Sequence, residues 1–369
     1  VMVVLKDAVT DFGESRVFFM HNWRCAGSTL NSLFSSNFGN KYLKIGTQFS
    51  EFGWPLYQLP ELLTLKDVRS KVEAGCLMGG HLCNGIEMLM PGSSDLWMNA
   101  RDPIKRLSSG IKRFHSKVFR LPSGEYSKSY VKSYSEKAII DLFNGPLRHE
   151  KNGVAKRLAG FSFANNLYVH DDVNLESLSC FDSPESDKDL ASAAKRSLEK
   201  VKIIILPNYL HASLICIEKL YGLGPIINLF SDLRHNSVEL GKAEAAELTA
   251  FSLAKPLLED LCKVDCHIFE LIKKKFAQQL QSAVISKNDV LAREKLHETP
   301  LLNPKWFRDK SISEQMLIKL IVERLEFVAA KSPEISREIV ETATSWSRFD
   351  VAAAQEIRKR TFYGLGLHS

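Results

Sequence analysis

The chain has 369 residues, 45% of them apolar and 25% charged, and a formal net charge of +6. This composition is typical of a folded globular protein and excludes a disordered or fibrous one, while the length suits one large domain or a domain with an appendage. The modest positive charge suits anionic ligands but falls short of the clustered basic surface of a nucleic-acid binder, so no nucleic-acid partner is expected.

The first two-thirds of the chain alternates strand-like and helix-like segments. Short apolar runs ended by Gly, Arg or Pro are typical of buried parallel strands, and such runs occur at 16–23, 75–82, 95–103 and 201–210. The last run is followed by a segment with helical spacing and a Gly stop. Strands separated by helices indicate βαβ units. The predicted fold class is therefore α/β, a P-loop-like parallel sheet flanked by helices.

From about residue 240 the pattern becomes nearly all helical. The stretch 311–330 carries the apolar stripe of an amphipathic helix, formed by Met316, Leu317, Leu320, Ile321 and Leu325. We predict two regions, an α/β core over residues 1–283 and a helical C-terminal extension over residues 284–369.

The first predicted strand runs into the loop "HNWRCAGST" and then into a helix. A helix N-terminus has unpaired N–H groups and a partial positive charge, so it binds oxyanions. Gly27 permits close approach of the backbone, and Arg24 adds a fixed charge. Ser28 and Thr29 add hydroxyl donors. For the loop taken alone, the alternative is an ordinary strand–turn–helix junction with a Ser/Thr cap.

This loop differs from the nucleotide-binding loop of ATPases and GTPases. That loop needs the pattern G-x-x-x-x-G-K-[ST], whereas the present one lacks both the first Gly and the Lys before the hydroxyl residue. The sequence therefore disfavours an NTPase.

A second segment, "NARDPIKRLSSG", follows another predicted strand. It places Arg101 at the strand end and Ser109 about two turns into the following helix, so that both side chains can reach one phosphate. Together the two segments resemble the sulfotransferases that use 3′-phosphoadenosine 5′-phosphosulfate (PAPS). In that family PK-x-(A/G)-G-(T/S)-(T/S) binds the 5′-phosphosulfate end and RDPxxRxxS binds the 3′-phosphate. "WRCAGST" has Trp23 and Arg24 in place of Pro and Lys, and "RDPIKRLSS" matches in full.

The carbohydrate-type enzymes of this family, especially the uronyl 2-O-sulfotransferases, offer the best match. They carry an H/G-G-H segment before the RDP strand, and "MGGHL" places His81 there. "NGVAKRLAG" resembles the family's N-x-x-x-R-x-L-x-G stretch, with Lys156 where Arg is usual.

Two later segments extend the resemblance to roughly residues 15–283. Ser213 matches a typical Ser of the late strand–helix unit, although Asn208 lies where that strand's exit usually has Glu. Asp265 matches the closing D-x-x-LY helix, in which Phe269 replaces Tyr. The extension matches nothing known to us.

The resemblance implies a PAPS-dependent O-sulfotransferase. It would transfer the sulfuryl group to a hydroxyl-bearing acceptor, a glycan or a small-molecule natural product, release adenosine 3′,5′-bisphosphate and need no metal. The residues that it implies for donor binding are Arg24, Cys25, Ala26, Gly27, Ser28, Thr29, Arg101, Ser109 and Lys156.

The two residues expected to act in the reaction are His81 and Arg24. Neutral imidazole accepts a proton near neutral pH, which suits His81 as general base; the alternative is a buried strand-end histidine with a structural role. Arg24 would stabilise the departing phosphate by charge, since an arginine does not give up its proton. His21, at the strand end beside the loop, is expected to be structural. The alternative functions are a P-loop-type kinase or nucleotidase, and a non-catalytic nucleotide-binding relative.

The stretch 112–134 interleaves basic and aromatic residues. A solvated helix face explains this pattern, and the alternative is a surface for an anionic acceptor.

Cysteine usage and hydropathy bear on the location of the protein. No apolar run approaches the ~18–20 residues of a membrane span, and the first residues do not form a signal peptide. The 7 cysteines are odd in number and form no C-x-x-C pair, and no asparagine begins an N-x-[ST] sequon. We therefore expect a cytoplasmic protein without a membrane span, a disulfide framework or a structural metal site. The oligomeric state is not indicated.

Overall fold

The structure is a computed structural model of the chain. It describes residues 15–38, 41–46, 54–55, 70, 76–80, 84, 94–116, 118–120, 126–128, 137, 140–141, 143, 150–160, 186–226, 255–298, 313–331, 337, 340 and 351–364.

The strands fall into one large sheet and one small ribbon. Their bounds are β1 Arg16–Met20, β2 Tyr42–Gly46, β3 Trp54–Pro55, β4 Leu77–Gly80, β5 Ser94–Asn99, β6 Val118–Arg120, β7 Tyr126–Lys128 and β8 Val201–Ile205. The large sheet has 6 strands in the order β3–β2–β4–β1–β5–β8, and all its pairings are parallel. Strands β6 and β7 pair with each other in antiparallel fashion.

The helices lie between these strands and after the last of them. Their bounds are α1 Gly27–Phe38, α2 Pro103–Ser116, α3 Gly153–Ala159, α4 Asp187–Lys200, α5 Leu210–Tyr221, α6 Lys263–Ser282, α7 Lys287–Glu298, α8 Glu314–Lys331 and α9 Val351–Gly364. None of the described helices is long and apolar enough to cross a membrane.

Helices cover both faces of the sheet. Side chains alternate between the two faces of a strand, and in β1 Val17 and Phe19 pack on one face with α1 and α5, whereas Phe18 and Met20 pack on the other with α3, α4 and α6. All four are fully buried, which explains the continuous apolar run in the sequence. The α/β prediction, a parallel sheet flanked by helices, is confirmed.

The register brings the C-terminal ends of the central strands to one edge of the sheet. Met20 of β1 lies opposite Gly80 of β4 on one side and Met98 of β5 on the other. The pairing continues one residue further, since His21 N donates to Gly80 O at 2.7 Å. The segments that follow β1, β4 and β5 therefore leave the sheet at the same edge.

Two local expectations need correction. Helix α2 ends at Ser116, and the stretch predicted as a helix face instead contains the ribbon strands β6 and β7. In α8, Met316 of the predicted apolar stripe is 49% exposed, while Ile321 and Leu325 are buried as expected. The predicted α5 is confirmed, with Gly222 ending it in the left-handed conformation, φ 63°.

A buried ion pair joins the two predicted regions of the chain. Arg293 of α7 donates to both carboxylate oxygens of Glu218 in α5, at 2.8 and 2.6 Å. The same carboxylate accepts from Ile226 N at 2.5 Å. Helix α7, which begins just after the predicted boundary at residue 283, therefore packs on the α/β core; the boundary itself stays a prediction.

Candidate functional site

The loop between β1 and α1, residues 21–26, has an unusual backbone. Arg24 and Ala26 both have left-handed backbone conformations, with φ 60° and 62°. Leu30 N donates to Ala26 O at 3.0 Å as α1 begins. Left-handed residues at a helix start turn successive N–H groups towards a common concavity, which is a recurrent way to bind an anion. We call residues 21–26 with the first turn of α1 the anion loop.

Gly27 is required because of its close contact with His21. A Cβ built at Gly27 would lie only 1.3 Å from the Nε2 of His21, so no other residue fits there without moving the imidazole. His21 is 7% exposed and its ring stacks on Phe19. These contacts agree with the expected structural role of His21 beneath the loop.

Two asparagines that the sequence reasoning missed hold the loop in place. Asn99 at the end of β5 accepts from Asn22 N and donates to Cys25 O, each at 2.6 Å. Asn22 in turn donates its side-chain amide to Asn99 O at 2.6 Å. Both residues are fully buried. An asparagine at each of two strand ends was the only sequence signal for this clamp.

The two motifs identified in the sequence meet through Arg24. Its guanidinium donates to the hydroxyl of Ser109 in α2 from Nε at 3.0 Å and from Nη2 at 2.7 Å. Arg101 approaches the loop from the end of β5, with Nη1 3.5 Å from the carbonyl oxygen of Arg24. The structure thus brings together three of the predicted site residues, Arg24, Arg101 and Ser109.

The loop is also anchored by Trp23, whose indole packs on α2. A Cβ at Gly110 would lie 2.3 Å from the Cη2 of Trp23, so the ring occupies the space left by that glycine. Trp23 belongs to a hydrophobic cluster, here called the Trp23 cluster, whose other members include Leu107, Ile111, Leu258, Cys262 and Cys266.

The remaining Arg of the second motif, Arg106, is a buried structural residue. It is fully buried and forms ion pairs with Glu150 and Asp265, the latter at 3.0 Å. Burial alone would lower the pKa of Arg106, but the Glu150 and Asp265 carboxylates raise it above its ordinary value, so the guanidinium stays charged. Arg157 pairs with the other oxygen of Glu150 at 2.5 Å.

Asp265 attaches α3 to this ionic network. It accepts from Ala155 N at 2.7 Å and from Val154 N at 3.2 Å, at the N-terminus of α3. Lys156, a predicted donor-binding residue, lies on the same helix, and within the described part of the chain its ammonium has no hydrogen bond or ion pair. Burial lowers the pKa of Lys156, and the Asp265 carboxylate opposes that shift.

Cys25 is turned into the interior. Burial raises the pKa of its thiol to about 12, against the opposing charges of nearby arginines, Arg106 foremost. A buried, protonated thiol is a poor nucleophile at neutral pH. Its backbone N–H donates to Asn22 O at 3.3 Å.

The charge balance of the site fits an anion. The two motifs and the residues just beneath them carry more positive than negative charges. The positive ones include Arg24, Arg101, Lys105, Arg106, Lys156 and Arg157, and the negative ones are Asp102, Glu150 and Asp265. Asp102 is in addition engaged as the cap of α2, because its carboxylate accepts from Lys105 N at 2.9 Å. The net positive charge favours a polyanionic ligand.

Two predicted site residues lie wholly or partly outside the described residues. His81 follows the last residue of β4 but is not itself described, and the side chain of Ser28 is not described either. Thr29 lies in the first turn of α1. Within the part of the chain that the structure describes, no group of His, Cys, Asp and Glu residues is arranged to hold a metal ion.

No model of a known protein family matches the chain, and neither does any of the curated proteins compared with it.

Proposed function

We propose that this chain is a PAPS-dependent sulfotransferase that transfers a sulfuryl group to a hydroxyl of a glycan or a small natural product. One observation carries the proposal: Arg24 of the anion loop donates two hydrogen bonds to Ser109 of the RDPxxRxxS motif. The family resemblance assigns these motifs to opposite ends of one nucleotide, and their contact is what a single bisphosphate site requires.

The position of the anion loop supports a P-loop-like fold. The loop follows β1, which has a parallel neighbour on each side, and it leads directly into the N-terminus of α1. In this arrangement the helix end and the loop N–H groups face the edge of the sheet where phosphates bind in related architectures. Arg24 replaces the Lys of the family pattern and keeps the positive charge.

Some of the proposed site residues would bind the donor nucleotide, and others would stabilise the charge that develops in the transition state. Arg101 and Ser109 would hold the 3′-phosphate, and Lys156 would add a further positive charge. Arg24 and the α1 N-terminus would neutralise the negative charge that develops on the leaving phosphate oxygen. Sulfuryl transfer, like phosphoryl transfer, has a loose in-line transition state, so positioning and charge stabilisation contribute most of the rate enhancement.

The proton of the acceptor hydroxyl needs a base, and His81 is the proposed one. It follows β4, whose last residue Gly80 accepts a hydrogen bond from His21 N at the edge that carries the anion loop. A base at that edge removes the hydroxyl proton while the hydroxyl oxygen attacks sulfur.

The replacement of Lys by Arg at position 24 also favours a second candidate, a nucleotide-binding relative without catalytic activity. Arginine cannot donate a proton to the leaving group, and the Glu usual near Asn208 is missing. A kinase or nucleotidase is disfavoured because the loop lacks the Walker glycine and lysine.

Calorimetric titration separates these functions. We expect adenosine 3′,5′-bisphosphate to bind, and adenosine 5′-monophosphate and magnesium ATP to bind at least tenfold more weakly. Preferential binding of magnesium ATP would instead indicate a kinase, and no binding of any nucleotide would refute the proposal. Transfer of label from PAPS to a panel of glycans and hydroxylated metabolites then distinguishes an enzyme from a binding protein.

A further inference from the structure

Two cysteines face each other at the start of α6, outside the residues that the proposed reaction uses. Cys262 immediately precedes the helix and Cys266 lies one turn along it, with their Sγ atoms 3.6 Å apart. Cys262 is fully buried, and its thiol donates to Leu258 O at 2.8 Å. Cys266 is partly exposed. A reagent in solution therefore reaches Cys266 first, and Cys262 is close enough to attack the product.

This turn of helix contacts both halves of the candidate site. The two cysteines belong to the Trp23 cluster, which supports the anion loop. Asp265, between them in the sequence, binds Val154 N and Ala155 N of α3 and also Arg106 of α2. A change in the backbone of this turn is therefore transmitted to α3, to α2 and to the loop.

A disulfide between these residues requires such a change. Side chains at i and i+4 of a helix have Cβ atoms about 5–6 Å apart, whereas a disulfide holds its Cβ atoms roughly 3.5–4.5 Å apart. The hydrogen bond from Cys266 N to Cys262 O, 2.8 Å long, keeps the turn helical in the dithiol form. The S–S bond therefore forms only if this turn is deformed.

We propose that Cys262 and Cys266 are a reversible dithiol–disulfide pair whose oxidation loosens the attachment of α3 to Asp265 and lowers the affinity of the site for its nucleotide. The effect on the nucleotide rests on the proposed function, whereas the disulfide and the loosening of α3 do not. The oxidant is a low-molecular-weight disulfide such as glutathione disulfide.

The exchange balances in two steps. The Cys266 thiolate forms a bond to one sulfur of glutathione disulfide, whose S–S bond breaks, and the first glutathione leaves and takes up the proton that Cys266 lost. The Cys262 thiolate then attacks the Cys266 sulfur and releases the second glutathione, which takes up the second proton. Two protein thiols are oxidised and one small disulfide is reduced to two thiols.

Both thiols are shielded from rapid oxidation. Burial raises the pKa of the Cys266 thiol, and the carboxylates of Asp265, Asp102 and Glu259 act in the same direction, against the contact between the Cys266 and Cys262 thiols. Burial likewise raises the pKa of the Cys262 thiol. The thiolate is the attacking species. Thiol–disulfide exchange is therefore slow at neutral pH and becomes faster as the pH rises.

To test this proposal, the whole chain is equilibrated at pH 8 in buffers that contain an increasing ratio of oxidised to reduced glutathione. Alkylation and peptide mass mapping identify the disulfide, and hydrogen exchange follows the amides of residues 153–159. We expect a 262–266 disulfide that dithiothreitol reverses, faster exchange in α3, and roughly fivefold or more weaker binding of adenosine 3′,5′-bisphosphate. Cys266→Ser should abolish all three effects. Cys262→Ser should abolish the 262–266 disulfide and leave at most a glutathione adduct on Cys266, which mass mapping detects. Cys76→Ser, at another buried cysteine, should leave all three effects intact.

The outcomes are distinguishable. The inference is overturned if the cysteine pair stays reduced while small-molecule thiols in the same buffer are oxidised. It is also overturned if the disulfide forms without faster hydrogen exchange in α3. If the disulfide forms and α3 loosens but nucleotide affinity does not change, the coupling to the site is refuted and the proposed function stands. If the reduced protein binds no bisphosphate, the proposed function fails. The hydrogen-exchange rates of residues 153–159 still decide whether oxidation of the cysteine pair loosens α3.

Discussion

The guanidinium of Arg24 donates two hydrogen bonds to the hydroxyl of Ser109, a residue 85 positions away in the sequence. A planar guanidinium presents several N–H groups in a fixed geometry, whereas a lysine ammonium is a flexible point charge. Two neighbouring N–H groups of Arg24 therefore engage one hydroxyl. This contact fixes the orientation of the anion loop relative to α2. A substitution of Ser109 should therefore also alter the conformation of the loop.

Ser109→Ala removes the acceptor of both bonds. It also removes the hydroxyl that would bind the 3′-phosphate in the proposed complex. Hydrogen bonds to charged groups contribute about 1.5–3 kcal/mol, so we expect the affinity for adenosine 3′,5′-bisphosphate to fall about tenfold or more by calorimetric titration. The affinity for adenosine 5′-monophosphate should change less, because that ligand lacks the 3′-phosphate. Ser108→Ala is the matched control and should bind like the wild type. Equal behaviour of the two variants would contradict the assignment of Ser109.

Arg101→Ala removes a positive charge at the end of β5. We expect the affinity for the bisphosphate to fall at least about tenfold, since charge-assisted bonds to phosphate are among the stronger ones, while the turnover at saturating donor changes little. Lys105→Ala removes an exposed charge from the neighbouring helix turn and controls for net charge. A salt titration adds a check, because the loss should shrink as salt screens the charge. If the Arg101→Ala variant binds adenosine 3′,5′-bisphosphate as tightly as the wild type, the proposal that this motif binds phosphate is wrong.

Gly110→Ala tests the contact between α2 and Trp23. The added methyl group would lie 2.3 Å from the indole, so the ring and the loop must shift. We expect the free energy of unfolding in urea to fall by about 1–3 kcal/mol, together with weaker nucleotide binding. Gly222→Ala is the control: Gly222 has φ +63° and nothing within 4 Å, so alanine costs about 1–2 kcal/mol by backbone strain alone. Nucleotide affinity should fall in the first variant only.

Glu218→Gln and Arg293→Met each break the buried ion pair between α5 and α7. The side chains of Glu218 and Arg293 are only 9% and 8% exposed, and removal of one partner from a buried pair costs about 3–5 kcal/mol because the other charge is left without compensation. Urea unfolding measures this loss. Lys219→Ala, which removes an exposed pair with Asp289, should cost less than about 1 kcal/mol. A small effect of both buried variants would mean that α7 contributes little to the stability of the core.

His81→Ala should remove most of the turnover and leave donor affinity nearly intact, because a general base acts on the acceptor and not on the nucleotide. General-base catalysis contributes about 10²–10⁴-fold, so the loss should reach at least about a hundredfold with acceptor at saturation. His267→Ala changes an exposed histidine of α6 and should be neutral. If a folded His81→Ala protein keeps more than a tenth of the turnover, the base lies elsewhere, and Glu51 or Glu87 is the next residue to change.

The strands were predictable because their signal is local. A strand buried on both faces is predominantly apolar, and the runs at β1, β4, β5 and β8 show this in the sequence alone. The exceptions are polar residues at strand ends and Lys202 of β8, which is exposed and pairs with Asp95. Their ends were less well predicted. The apolar pattern predicts a strand over residues 201–210, whereas β8 ends at Ile205 and Pro207–Tyr209 form a 3₁₀ turn. Proline has no N–H to continue the ladder.

The anion loop could be recognised from its residues, but no pattern in the sequence identified the buried groups that support it from a distance. The Asn22–Asn99 clamp and the ion pairs that Arg106 forms with Glu150 and Asp265 join residues 44 to 159 positions apart. No periodicity marks such pairs, because they depend on strand order and on helix packing, which are properties of the whole chain. The buried charges explain why Arg106 is a structural residue although Arg101 and Ser109 of the same motif lie beside the anion loop. Only the tertiary structure places two carboxylates against Arg106.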